Sequence, residues 1–212
     1  MKIILSAVEP ELVTAWERFC GDLEFVEIHQ GSILTLSCDA VVSPANSFGF
    51  MDGGIDMLYS QHFGRQVQER LQRLILNKHQ GELLVGAAEI VETGNLQIPY
   101  LIAAPTMRVP MVLRNSVNPY LAARAALLLV KHGAFASGHL KGEPVASFVD
   151  SLAFPGLGTG VGRVGPNTCA RQVRAAIEEV IMGKHEFPQS WADAQKRHQQ
   201  LFTDQIRDLQ YE

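Results

Sequence analysis

A chain of 212 residues with 47% hydrophobic and 19% charged residues can bury one substantial core, and no stretch is apolar for long enough to cross a bilayer as a helix. A formal charge of −4 with no cluster of Lys and Arg excludes general nucleic-acid binding through a basic surface, although a single modified nucleotide end would need no such stripe. Three widely separated cysteines, Cys20, Cys38 and Cys169, exclude a disulfide framework and fit buried small hydrophobes in a reducing compartment.

Residues 2–8 read as a first strand rather than a leader, because Glu9, Pro10 and Glu11 follow with no small-residue cleavage pattern. The expected location is therefore cytoplasmic. Pro10 suits the first turn of a helix that carries Leu12, Val13, Trp16, Phe19 and Cys20 at helical spacing, and a strand follows at 25–28. After a short strand at 40–43, the stripe Phe63, Val67, Leu71, Leu74 and Ile75 predicts one helix starting near Ile55.

Residues 83–91 and 101–104 read as strands, 117–132 as a helix, and 145–154 as a near-continuous buried strand. Pro166 opens a helix through residue 181. Alternating strands and helices predict an α/β fold, a mixed and mainly parallel central sheet sandwiched between helices. The tail places Trp191, Ala194, His198, Leu201, Phe202, Ile206 and Leu209 on roughly one face, which predicts a helical extension over 185–212 packed on a domain of residues 1–184. That helix also offers a surface for a homodimer. Residues 135–144, rich in Gly, Pro and Lys, form the expected mobile loop.

Two loops carry the chemistry. Val41-Val42-Ser43-Pro44-Ala45-Asn46 runs from a strand into a polar loop that ends at Gly53-Gly54-Ile55-Asp56. Phe154-Pro155-Gly156-Leu157-Gly158-Thr159-Gly160-Val161-Gly162-Arg163 repeats the logic, since a strand feeds a glycine run whose bare amides can wrap a phosphate. Two such loops suggest a diphosphate ligand, and in an open sheet both lie beyond the carboxyl ends of the strands.

Other readings of these residues are weaker. Gly160-Val161-Gly162-Arg163-Val164-Gly165 matches the dinucleotide fingerprint, but residues 182–191 offer polar residues and a proline where a second strand and its acid should stand. The seven histidines keep no metal-ligand spacing with each other or with cysteine, so no metal and no cofactor are expected. No Gly-x-Ser-x-Gly elbow surrounds Ser43, Ser47 or Ser60, and no Gly-Lys-Ser/Thr is present. Taken alone, Asp56 is a helix N-terminal charge and Asn46 a turn residue.

The order of these pieces resembles the macrodomain, a fold that binds ADP-ribose and in many members removes it from modified targets. The resemblance spans residues 25–181, and Asn46 and Asp56 stand ten positions apart, as do the asparagine and aspartate of hydrolytic members. It implies a three-layer α/β/α sandwich whose partner is ADP-ribose or an ADP-ribosylated substrate. Asp56 would activate water and Asn46 would orient a ribose hydroxyl. Ser32, Ile33, Ala45, Gly53, Gly54, Ile55, Gly158, Thr159, Gly160, Val161, Gly162 and Arg163 would contact the ligand, with Arg163 either beside the diphosphate or solvated.

Two departures from the family stand out. Ser32 follows Gly31 where macrodomains carry an aspartate for the adenine amino group, which leaves Asp39, Gln30 or a backbone carbonyl to serve instead. Gly162 and Arg163 replace the usual aromatic of the second loop, which leaves Phe48, Phe50 or Met51 to face the distal ribose, or no residue at all. A non-catalytic binding module and a fold-only partner domain are the alternatives.

Overall fold

The computed structural model describes residues 1–208, so the predicted tail contact of Leu209 lies outside the described residues. Six strands, β1 (Lys2–Ala7), β2 (Val26–Gln30), β3 (Ala40–Ser43), β4 (Glu89–Glu92), β5 (Tyr100–Ala103) and β6 (Ser151–Phe154), form one sheet in the order β2-β1-β6-β3-β5-β4. Every neighbouring pair is parallel except β4–β5. The mixed, mainly parallel sheet is therefore as predicted, and five carboxyl ends leave the sheet on one edge.

Alternation along the strands divides the core into two layers. Ile3, Leu5, Ala40, Val42, Leu152 and Phe154 face one side with α1 (Pro10–Cys20), α4 (Asn118–His132) and α5 (Pro166–Val180). Ile4, Val41, Leu101 and Ala153 face the other with α2 (Gly54–Phe63) and α3 (Gln66–His79). Ser43 shares the parity of Val41, so its side chain points at α2. All three cysteines are buried and free.

Three predicted elements need correction. The stripe from Phe63 to Ile75 spans two helices, because Gly64 takes φ of +90° and ends α2. A Cβ there would stand 2.3 Å from the Gln66 side chain. The stripe looked continuous because both helices bury the same side of the sheet. Of the predicted strand over 83–91 only residues 89–91 are extended, within β4; Leu83 is buried, but its amide donates to the Ser47 carbonyl at 2.8 Å. In 145–154 the first residues, Val145–Ser147, form a 3-10 turn, and extension begins at Ser151.

The tail holds a shorter helix, α6 (Trp191–Gln200), capped by the Ser190 hydroxyl and tied to α5 where Arg171 pairs with Asp204 at 2.7 Å. Trp191 is exposed rather than buried on the domain. The loop 135–144 is anchored by buried Phe135 and by a bridge between Ala134 and Pro144.

Asp39 fixes the start of β6 against β3. Its Oδ2 accepts from the Asp150 amide at 3.0 Å, the Ser151 amide at 2.8 Å and the Ser151 hydroxyl at 2.7 Å, while its own amide donates to Ser151 Oγ at 2.9 Å. Hydrogen bonds to an ionised carboxylate are the stronger kind. Asp39→Ala is expected to destabilise the fold by ~2 kcal/mol in urea denaturation, and an unchanged midpoint would remove this clamp from the account.

Candidate active-site cleft

A cleft of about 800 Å³ opens at the carboxyl edge of the sheet, within the range of small-molecule sites. One wall is the loop after β3, with Pro44, Ala45, Asn46, Phe48 and Phe50, and the first turn of α2. Facing it is the loop after β6, residues 155–162 apart from Leu157. Ser32, Ile33, Gly53, Gly54, Ile55, Asp56, Gly158, Thr159, Gly160, Val161 and Gly162 all line the cleft. Arg163 does not; it is exposed with φ of +54°, outside the wall.

The two loops share one electrostatic property. Among the described residues, no protein acceptor takes the amide protons of Gly158, Thr159, Gly160, Val161 and Gly162. The same holds for Gly54, Ile55 and Asp56, the orphan donors of the α2 N-terminus, where Gly53 supplies no side-chain cap. Converging amides and a helix N-terminus favour an anion. Gly162 is obligatory, since a Cβ there would lie 2.5 Å from the Gly158 carbonyl oxygen.

Asp56 sits where these loops meet. Its residue is buried, and Oδ1 accepts from Ser43 Oγ at 2.5 Å. Oδ2 has no protein donor among the described residues and is not sealed from solvent, so it is the oxygen open to the cleft. Burial pushes the Asp56 carboxyl from 3.8 up to about 7, while the Ser43 hydrogen bond pulls the other way. A carboxyl half ionised near neutral pH is suited to general-base work.

Asn46 holds its own loop. Its Oδ1 accepts from the Phe48 amide at 3.1 Å and the Phe50 amide at 3.2 Å, and its Nδ2 donates to the Phe50 carbonyl at 2.7 Å. One Nδ2 proton remains for a ligand hydroxyl. Ser32 Oγ caps the 3-10 turn Ile33–Thr35 by accepting from the Leu34 amide at 3.3 Å. Of the replacement partners expected for a base, Asp39 lies at the opposite end of β3 holding Ser151, and exposed Gln30 is not in the wall. Phe48 and Phe50 line the cleft, whereas Met51 is buried away from it.

Two contributions escaped the sequence reading. Glu9, just past β1, is a wall carboxylate at the Gly31–Ser32 end of the cleft. The segment after β5 contributes Thr106, Met107, Val109 and Pro110, and it ties the two loops together. The Thr106 amide donates to the Ala45 carbonyl at 3.1 Å, the Ser47 amide to the Arg108 carbonyl at 3.2 Å, and the Leu113 amide to the Gly162 carbonyl at 2.7 Å. Both segments follow parallel strands, the position that would have flagged them.

The sequence model of the Macro domain family matches residues 42–173, a span that contains both loops and Asp56. This chain is a macrodomain. An uncharacterized protein of Aquifex aeolicus is 32% identical over 155 residues, covering 73% of this chain and 80% of that one. Another, from Aeropyrum pernix, is 29% identical over 157 residues and covers 74% and 72%.

Solved macrodomains share the fold at lower identity. The macrodomain of Mycobacterium tuberculosis DarG superposes with a TM-score of 0.56 at 18% identity, over 71% of this chain and 88% of that one. A variant of the Oceanobacillus iheyensis macrodomain with ADPR gives 0.56 at 20%, over 69% and 73%. The three-layer sandwich predicted from the sequence is thus the macrodomain fold.

The raised pKa of Asp56 has a stability consequence. A carboxyl raised in the folded state contributes fully below its unfolded pKa of about 3.8, and the contribution is lost as pH rises through about 7. The ionised form then costs up to ~4 kcal/mol. Asp56→Asn removes that cost, so its Tm should exceed the parent's by clearly more at pH 8 than at pH 4. Equal differences at the two pH values would contradict it.

Proposed function

We propose that this macrodomain binds ADP-ribose and hydrolyses mono-ADP-ribosyl linkages. The observation that carries the reading is the convergence of two sets of unpartnered amides on one cleft that also holds the open Oδ2 of Asp56. The amides of residues 158–162 hold the diphosphate, and the α2 N-terminus draws the ligand's distal half toward Asp56. The related Oceanobacillus iheyensis macrodomain is known with ADPR and with ADP, which supports a diphosphate in this place. The base lies toward Ser32 and Ile33, with Glu9 as the nearby acceptor for an amino group.

In the reaction, water attacks the anomeric carbon of the distal ribose as the bond to the acceptor breaks and its electron pair leaves with the acceptor. Oδ2 of Asp56 takes the proton of the water, and the carboxylate charge favours the oxocarbenium character of the transition state. The remaining Nδ2 proton of Asn46 is available to a ribose hydroxyl. The engagement of Asn46 with its own loop favours a second reading, recognition without catalysis, which turnover separates from the first.

Calorimetric titration should show micromolar binding of ADP-ribose and much weaker binding of AMP and ribose 5-phosphate. Failure of all three ligands to bind would overturn the site. Gly162→Ala should weaken ADP-ribose by at least tenfold through the displaced Gly158 carbonyl, and an unchanged affinity would remove the second loop from the site.

Asp56→Ala should lower turnover of a mono-ADP-ribosylated protein by roughly a hundredfold to ten-thousandfold, with affinity within about tenfold. The parent's rate should rise with pH through about 7 and level off above it, because the ionised carboxylate is the active form. Binding without turnover by the parent would establish the recognition module instead.

A further inference from the structure

We propose that Ser43 is the positioning residue for Asp56: its buried hydroxyl holds Oδ1 so that Oδ2 alone faces the cleft as an ionisable base. The catalytic consequence rests on the hydrolase reading above, whereas the effect on the carboxyl itself does not.

The geometry is restrictive. Ser43 is fully buried at the carboxyl end of β3, on the face that meets the first turn of α2. It does not line the cleft, so it acts through Asp56 rather than on a ligand. A hydroxyl has one proton to give, and this one goes to Asp56 Oδ1 at 2.5 Å. With one oxygen held by Ser43, the carboxyl keeps its plane and the other oxygen is the one left to the cleft.

Among the described residues, the other groups on the surrounding elements do not replace that donor. From α2, Tyr59 stands one turn on, but its hydroxyl donates to the Val42 carbonyl at 3.1 Å, and burial keeps it a neutral phenol. Beneath it Cys38, ahead of β3, is pushed up to about 12 by burial and donates to the Ala40 carbonyl. From the preceding loop, Asp52 lines the same cleft and brings no positive charge to it. Among the described residues, no Lys, Arg or His lines the cleft beside Asp56. Ser43 and the amino end of α2 are therefore what favour its charged form against burial.

The test reads the carboxyl directly. In ¹³C NMR the parent's Asp56 carboxyl should titrate near pH 7, and in Ser43→Ala the midpoint should move up by roughly one pH unit or more. Under the hydrolase reading the acid limb of the pH–rate profile should move by the same amount. The variant's kcat should then fall about tenfold at pH 6 and recover much of the loss at pH 9, with KM nearly unchanged.

Ser43→Thr should restore the parent's midpoint. If Ser43→Ala does not fold, Ser43→Cys keeps the shape with a weaker donor and should also raise the midpoint. A midpoint unmoved in Ala or Cys overturns the inference. A parent that turns over nothing while the midpoint moves removes the hydrolase reading and leaves the role of Ser43 intact.

Discussion

β6 lies in parallel between β1 and β3, and that pairing brings two loops from distant parts of the sequence to one place. Parallel strands need crossovers, so α1 to α5 are spent on the two faces and the carboxyl edge is left to loops. The clamp between Asp39 and Ser151, 112 residues apart, holds the far end of the same pair. One end of β3 and β6 is therefore occupied with structure, and the other is free for chemistry.

At that free end, polar groups are left without protein partners. Orphan amides and a buried carboxyl are normally costs, and here they lie in the wall of a single cleft. Under the proposed function the amides would meet the phosphates of an anionic ligand, and the carboxyl would meet a bound water. The site is built from positions where the fold forgoes internal hydrogen bonds.

Much of this was legible in the sequence because the signals were local. The Pro10 and Pro166 helix starts, the apolar run 41–43 and the glycine loops each announce their own geometry. The break at Gly64 was hidden because two helices bury one face with a common stripe, and periodicity does not register a change of axis. Arg163 stood open between a place beside the diphosphate and a solvated loop, because charge is visible in sequence while the direction of a left-handed residue in a loop is not. Ser43 and Glu9 were missed as site residues for a related reason. Their importance comes from what the fold sets beside them: for Ser43 the first turn of α2 with Asp56, and for Glu9 the Gly31–Ser32 segment that β1–β2 pairing brings alongside.

The segment after β5 has a role beyond lining the cleft. Through Ser47 to Arg108 and Leu113 to Gly162 it is bonded to both ligand loops, and Asn118 at the head of α4 fixes it in turn by donating to the Thr106 carbonyl at 2.7 Å. Backbone hydrogen bonds thus join three stretches of chain into one unit, so local opening of any one of them would break bonds to the others. A molecule seated on the glycine loop alone would slow the opening of the Asp56 loop as well, so occupancy of one half of the cleft is felt as rigidity in the other.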